Sequence, residues 1–281
     1  MIKKVCVVGA GTMGSGIALA AAQHGFLVVL FDINEKVLES ATALIDKNLD
    51  FLVGKEKINE AEKAVILQHL LFTGNVDECT ADIIIEAIVE KLEAKESIFT
   101  KLAAINPPST ILASNTSSLS ITAIQKNIPS PERVVGMHFF NPANVMKLVE
   151  VVKGEQTDDA TASTVMQLCL DLKKTPVLCN DAPGFIVNRV ARHYYLEAMR
   201  LVEQKIATIE NVDAAMESAG FKMGPFRLMD LIGMDINYAV SESIYAAFDN
   251  AERFRPSPIQ KEKVEKGELG KKTGKGFYEY H

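Results

Sequence analysis

The sequence predicts an α/β chain: a mostly parallel sheet domain with a helical-hairpin insertion, followed by an all-α C-terminal domain. Three observations predict it. Short apolar runs alternate with helical patterns as far as Cys179, as a wound parallel sheet requires. The alternation stops at Asp181-Ala-Pro-Gly184, where proline and glycine interrupt regular structure. Beyond that point every pattern has helical period. The boundary this implies gives two domains, 1–183 and 184–281.

Val5, Val7 and Val8 open the chain as a run too short for a helix and rich in β-branched residues, which fits a strand covered on both faces. Gly9, Gly11 and Gly14 break it with G-x-G-x-x-G spacing. The first glycine permits a tight turn, the second lets the backbone approach a pyrophosphate, and the third lets the next helix pack close. Phosphates are favoured at that helix N-terminus, where free N–H groups and a partial positive charge meet them. A second strand, Leu27 to Phe31, ends in Asp32, at about the 20-residue spacing where a carboxylate meets the adenosine ribose. Strand, glycine turn, helix and acid together make a Rossmann-like dinucleotide site. An acid that accepts both ribose hydroxyls repels a 2′-phosphate, so the expected cofactor is NAD rather than NADP.

Two helical patterns follow, Glu35 to about Leu52 and Glu60 to about Leu71, joined by a charged segment holding Lys55 and Lys57. This exceeds what a simple crossover needs and reads as a helical hairpin. Lys55 and Lys57 near its tip could meet an anionic substrate, but a surface lysine pair is more often only a solvated face. The alternation resumes with strand Ile83 to Ile85, helix Lys91 to Ala104 and strand Thr110 to Ala113, broken by Pro107 and Pro108. Ser114-Asn-Thr-Ser-Ser118 follows the strand at the carboxyl edge, where open parallel sheets bind ligands; it also reads as a capping cluster for a helix near Ser120 to Lys126.

Val134 to Phe140 and Val145 to Val152 read as strands on either side of Asn141-Pro-Ala-Asn144. The first carries His138 and the second Glu150. A carboxylate inside an apolar strand costs several kcal/mol unless it is compensated. If the intervening residues turn the chain, Glu150 meets His138 and fixes its tautomer, giving a histidine fit for general acid/base work. A helix from Asp159 to Leu172 and a strand from Thr175 to Cys179 complete the first domain.

In the second domain Val187, Val190, Tyr194, Ala198 and Leu201 form one apolar stripe, with Asn188 beside it near the linker. Helices are expected over Ile209 to Ser218 and Pro225 to Phe248. Lys271 to Tyr280 is too glycine-rich for a helix and packs its aromatics at the chain end. So short and apolar a helical region is expected to pack on a second copy as well. With 281 residues, 48% hydrophobic and a net charge of -6, the composition is that of a globular chain and gives no reason to expect nucleic acid. No apolar run reaches spanning length and the glycine turn begins at Gly9, so we expect a cytoplasmic protein without a targeting segment. Four cysteines, Cys6, Cys79, Cys169 and Cys179, lack C-x-x-C spacing, so neither metal nor disulfide is expected; Cys6 and Cys179 read as core thiols.

Seven stretches, taken in order, then resemble the L-3-hydroxyacyl-CoA dehydrogenases, most closely the bacterial 3-hydroxybutyryl-CoA dehydrogenases. They are Gly9-Ala-Gly-Thr-Met-Gly14, Glu86-Ala-Ile-Val-Glu90, Ser114 to Ser118, His138-Phe-Phe-Asn-Pro142, Met146 to Val151, Asp181 to Phe185 with Asn188-Arg189, and Met223-Gly-Pro-Phe226. The resemblance implies interconversion of a short (S)-3-hydroxyacyl-CoA, such as 3-hydroxybutyryl-CoA, and its 3-oxoacyl-CoA with NAD. It implies His138 as catalytic base, Glu150 as its partner, and Ser117 and Asn188 as holders of the substrate oxygen. Asp32 would take the ribose, Glu90, Lys95 and Asn115 would line the nicotinamide end, and Thr12, Met13 and Ala87 join the cofactor set. Lys55 and Asn141 join the substrate set, Lys55 towards coenzyme A. The resemblance also implies a homodimer through the helical domain. Arg192-His-Tyr-Tyr195 departs from the apolar residues and proline of many relatives, which bears on acyl-chain preference rather than chemistry. Two other readings share the motifs: a dehydrogenase of a free hydroxy acid, and a non-catalytic NAD-binding protein.

Overall fold

The computed structural model describes residues 2–280; the terminal Met1 and His281 lie outside the described residues. The chain forms two compact units, Met1–Ala182 and Pro183–His281. The first runs β1 (Lys4–Val8), α1 (Thr12–Gln23), β2 (Leu27–Phe31), α2 (Glu35–Gly54), α3 (Glu60–Gln68), β3 (Leu70–Thr73), β4 (Ile83–Glu86) and α4 (Leu92–Ile105). It continues with β5 (Ile111–Ser114), α5 (Ile121–Gln125), β6 (Val134–Phe139), β7 (Leu148–Lys153), α6 (Asp159–Asp171) and β8 (Thr175–Asn180). The eight strands form one sheet in the order β3-β2-β1-β4-β5-β6-β7-β8. Every neighbouring pair is parallel except β6 with β7. The α/β class expected from the alternation is the one observed.

Burial explains why the central strands read so clearly: β1, β4, β5 and β6 are covered on both faces, so their side chains need not alternate in polarity. The α2–α3 pair is a hairpin whose base is core and whose tip is solvent. Leu38, Ala41, Ile45, Leu49 and Ile66 join the sheet's core cluster, while Lys55, Glu56 and Lys57 are exposed. Lys63 fastens the two helices by ion pairs to Asp46 (2.7 Å) and Asp50 (2.5 Å).

Three expectations for this unit need correction. The pattern read as helix to Leu71 stops at Gln68, and Leu70–Thr73 is the edge strand β3, paired in parallel with β2. The helix α5 is capped by its own Ser120, whose hydroxyl accepts from Ala123 N–H and donates to Asp181; the Ser114–Ser118 cluster does not cap it. Cys6, Cys79 and Cys169 are buried, but Cys179 lies half-buried on the edge strand β8. All four are free thiols, and burial pushes Cys169 up to about 12 and Cys179 up to about 11.

The second unit is helical: α7 (Val187–Glu203), α8 (Ile209–Ser218), α9 (Pro225–Ile232), α10 (Met234–Ala247) and α11 (Pro258–Glu265). The long helix expected over Pro225–Phe248 is two, divided at Gly233, whose φ of 102° no helix accommodates. The α11 helix, started by a Ser257–Gln260 capping box before Pro258, was not expected. The α7 stripe is only partly the inner face: Ala198 is buried and Tyr194 and Leu201 pack against the core. Val190 is 66% exposed, whereas Arg192, Tyr195, Leu196, Ala198 and Met199 are buried. An arginine on the inner face breaks the apolar period there, so the stripe is read about a quarter-turn away. The terminal segment packs its aromatics as expected: Phe277 meets Phe226 at 4.7 Å, and buried Asp230 accepts from the backbone of Phe277 and Tyr278 and the hydroxyl of Tyr280. Among the described residues no helix is long and apolar enough to cross a membrane.

Candidate active site

In the order β3-β2-β1-β4-β5, β1 and β4 flank the point where successive connections leave in opposite directions. Ligands of such sheets bind beyond the carboxyl ends of the strands at that point. Apart from Lys55 and Asn141, the residues of the first unit singled out from sequence gather on this edge. Gly9 follows β1, Asp32 follows β2, Ala87 follows β4, Asn115 follows β5, and His138 is the penultimate residue of β6.

Each glycine of the turn has a separate physical reason. Gly9 has φ 99°, and a side chain there would strike the Ala87 carbonyl. A Cβ on Gly14 would stand 1.7 Å from the Gly9 oxygen, so only glycine allows α1 to lie this close to the strand. Gly11 differs from both: a Cβ there meets nothing within 4 Å. The turn therefore does not need glycine at 11 for its own packing, and the open space lies at the N-terminus of α1. That end has no side-chain cap and no acid in its first turn, so its N–H groups suit a phosphate. Asp32 is tied to the turn: one carboxylate oxygen accepts from Ala10 N–H (2.9 Å), the other from Asn34 N–H (2.9 Å). Thr12 and Met13 stand in the first turn of α1. The residues present fit NAD.

Between the cofactor residues and the histidine runs a polar network. Lys95, buried on the inner face of α4, pairs with Glu86 (2.7 Å) and Glu90 (3.1 Å). Glu86, fully buried at the end of β4, also accepts from Ser114 Oγ (2.7 Å) and Ile88 N–H (2.7 Å). Glu90 gathers the loop after β5, accepting from the Thr116 hydroxyl, from the backbone of Ser117 and Ser118, and from the Ser118 hydroxyl. Burial pushes the Glu90 carboxyl up, but Lys95 and the hydroxyls outweigh it and hold it below the usual value. Asn115 donates its backbone N–H to Glu86 O and accepts from Phe139 N–H with its side-chain oxygen (2.8 Å). It thus links the end of β5 to the residue after the histidine.

His138 and Glu150 are directly opposed in the antiparallel β6–β7 ladder. His138 Nδ1 lies 2.7 Å from Glu150 Oε2, with the residues 6% and 1% exposed. A neutral imidazole facing that carboxylate carries its hydrogen on Nδ1. Phe140 packs against the imidazole at 4.5 Å. Buried Lys174 was missed by sequence reasoning: its Nζ donates to Ala143 O (2.6 Å) and Met146 O (2.8 Å), pinning the connection between the two strands. Glu86 was missed as well, although a carboxylate ending the apolar run Ile83-Ile-Ile85 is the signal that singled out Glu150.

The remaining candidates lie elsewhere. Asn141 is exposed in the β6–β7 connection. Lys55 is exposed at the hairpin tip, its ammonium 5.8 Å from the centre of the Phe51 ring. Asn188 is half-buried in the first turn of α7, in the second unit. Among the described residues no group of three or more histidine, cysteine, aspartate or glutamate side chains could hold a metal ion.

A glycine turn at a helix N-terminus, an acid after the second strand and a histidine–glutamate pair on one sheet edge are the features of an NAD-dependent dehydrogenase. Comparison with known proteins gives the family. Residues 4–182 match the 3-hydroxyacyl-CoA dehydrogenase NAD binding domain, and residues 184–280 match the C-terminal domain of the same enzymes. The chain belongs to the 3-hydroxyacyl-CoA dehydrogenase family. It is 47% identical over 281 residues to the 3-hydroxyadipyl-CoA dehydrogenase of Escherichia coli, covering 99% of this chain but 59% of that protein. It is 41% identical to the 3-hydroxybutyryl-CoA dehydrogenase of Clostridioides difficile, covering 99% of both. The crystal structure of (S)-3-hydroxybutyryl-CoA dehydrogenase from Ralstonia eutropha superposes with a TM-score of 0.95 at 39% identity, covering 100% of each chain.

Proposed function

We propose that the protein interconverts a short-chain (S)-3-hydroxyacyl-CoA, 3-hydroxybutyryl-CoA in the first instance, and the corresponding 3-oxoacyl-CoA, with His138 as general acid/base. The observation that carries this reading is the buried His138–Glu150 pair, held in register at the cofactor edge of the sheet. NAD, when bound, would supply the hydride acceptor for C3 of the substrate. His138 Nε2 takes the proton of the 3-hydroxyl, and in reduction the imidazolium returns it to the carbonyl oxygen. Glu150 stabilises the imidazolium through the 2.7 Å hydrogen bond that its carboxylate accepts from Nδ1. Ser117 and Asn188 hydrogen-bond the substrate oxygen as its charge changes.

In the same reading Asp32 binds the ribose hydroxyls, and Gly9, Gly11, Thr12, Met13 and Gly14 form the pyrophosphate turn. Ala87, Glu90, Lys95 and Asn115 line the nicotinamide end, while Asn141 and Lys55 serve the acyl and coenzyme A portions. The second unit joins two copies into a homodimer. Supporting this, Ile186, Val190, Phe221 and Leu231 leave a largely apolar, exposed groove on that unit.

The test is NADH oxidation with acetoacetyl-CoA, beside free acetoacetate and an NADPH control. Fast turnover confined to the thioester and NADH is expected. Equal turnover of free acetoacetate would favour a free hydroxy acid as substrate, and tight NADH binding without turnover of any of these would oppose the reading. The named relatives differ in their acyl group, so longer thioesters belong in the same assay.

A further inference from the structure

The inner face of α7 carries a charge with no carboxylate opposite it, its guanidinium lying over the Tyr195 ring at 5.0 Å. Arg192 is 2% exposed, and among the described residues no carboxylate pairs with it. Its Nη1 donates to the Asn237 carbonyl (2.7 Å) and the Ser241 hydroxyl (2.7 Å), and lies 3.4 Å from Asn237 Oδ1. Gln260 closes the cluster, donating to Asn237 Oδ1 (2.7 Å) and Ser241 Oγ (2.9 Å). All four side chains are buried and every partner is neutral. Burial accordingly pushes the guanidinium down to about 10, opposed only by Tyr195.

Two polar atoms in this cluster have no hydrogen-bond partner, Arg192 Nε and Asn237 Nδ2. Both are donors. A buried cation without a counter-ion is costly, and buried donors without an acceptor add to that cost. An anion accepting from these donors would relieve that cost. The Nε edge of a guanidinium is one of the faces that takes a carboxylate side-on, and Nη1 is already occupied by the network. The position of Arg192 says where such an anion would come from. Asn188 and Arg192 are four residues apart on one helix, hence on the same face, about 6 Å apart along the axis. Helical side chains lean toward the N-terminus, so Arg192 leans toward the turn that carries Asn188.

We infer that Arg192, with Asn237, is a specificity determinant for a second carboxylate at the far end of the substrate's acyl chain. This rests on the proposed role of Asn188 at the substrate oxygen. From C3, three further carbon–carbon bonds of about 1.5 Å each carry a terminal carboxylate roughly the distance of one helical turn. The preferred substrate class is then a 3-hydroxyacyl-CoA derived from a dicarboxylic acid, with the monocarboxylic thioester a poorer substrate.

The experiment compares kcat/KM for 3-oxoadipyl-CoA with that for the chain-matched 3-oxohexanoyl-CoA, in wild type, Arg192→Met and Arg192→Lys, with acetoacetyl-CoA as the control. Wild type is expected to favour the carboxylate by about tenfold or more, because a site left with unpaired polar groups rejects the analogue. Arg192→Met should abolish that ratio, and Arg192→Lys, which keeps the charge but lacks the fork, should leave a smaller one. A wild-type ratio at or below one overturns the inference. So does a high ratio that survives either folded variant, since a merely structural arginine would not move it. Turnover of acetoacetyl-CoA with a ratio of one removes this inference alone, whereas failure of all three thioesters removes the proposed function with it.

Discussion

Glu150→Gln is the perturbation that isolates electrostatics from shape. Glutamine has nearly the same volume, and its side-chain oxygen can still accept from His138 Nδ1, so the β6–β7 register should survive. What it loses is the charge that, in the proposed mechanism, faces the imidazolium. The pair is short at 2.7 Å and both partners are buried, so solvent does little to screen it. A hydrogen bond to a charged group contributes about 1.5–3 kcal/mol. At about 1.4 kcal/mol per decade, kcat for acetoacetyl-CoA reduction should fall about 10- to 150-fold. The Kd for NADH should stay within about threefold, because Glu150 stands on β7, outside the cofactor set. Steady-state rates beside a fluorescence titration of NADH separate the two effects. A variant whose kcat stays within about threefold of wild type would refute the view that the carboxylate stabilises the imidazolium.

The glycine turn separates packing from binding. Gly14→Ala puts a methyl 1.7 Å from the Gly9 oxygen and should destabilise the fold by about 1–3 kcal/mol or more, seen in denaturant melts. Gly11→Ala meets nothing within 4 Å, so its melt should match wild type while NADH binding weakens about tenfold. Asp32→Ala should lower the NADH over NADPH preference by about tenfold, measured as a ratio of kcat/KM values. Glu90 is held below its ordinary 4.5, so its contribution to stability is full above that pH and is lost as pH falls through the folded value. Glu90→Gln should therefore melt below wild type at neutral pH, and the gap should close on acidification. Asp230→Ala leaves two backbone donors and the Tyr280 hydroxyl without their acceptor and should destabilise the second unit by about 2–3 kcal/mol, read as a shift in Tm.

The sheet was legible because its central strands are covered on both faces and so appear as unbroken valine and isoleucine runs. What escaped did so for local reasons. Leu70-Leu71-Phe72-Thr73 continues the apolar spacing of the helix before it, and only pairing with β2 makes it a strand. Gly233 lies inside the helical pattern read over Pro225 to Phe248, but its positive φ ends α9 and starts α10. On α7 the buried face holds Arg192, and a search for apolar residues passes over an arginine. The histidine and glutamate were legible as a pair because a carboxylate inside an apolar strand demands a partner, and the structure supplies it at the opposing register position. Glu86 gave the same signal but ended its strand, where a carboxylate reads as solvated; in the fold it is buried beneath Lys95 and Ser114. Lys174 gave none, since its task depends on two carbonyls about thirty residues away in sequence.

The most direct measurement is the turnover of acetoacetyl-CoA and NADH by His138→Asn, with NADH affinity measured on the same preparation. Loss of kcat by about 10²- to 10⁴-fold with unchanged NADH affinity is the result expected if His138 carries the proton. A folded variant that binds NADH and keeps near-normal turnover would contradict that assignment and send the search for the acid/base group to another residue.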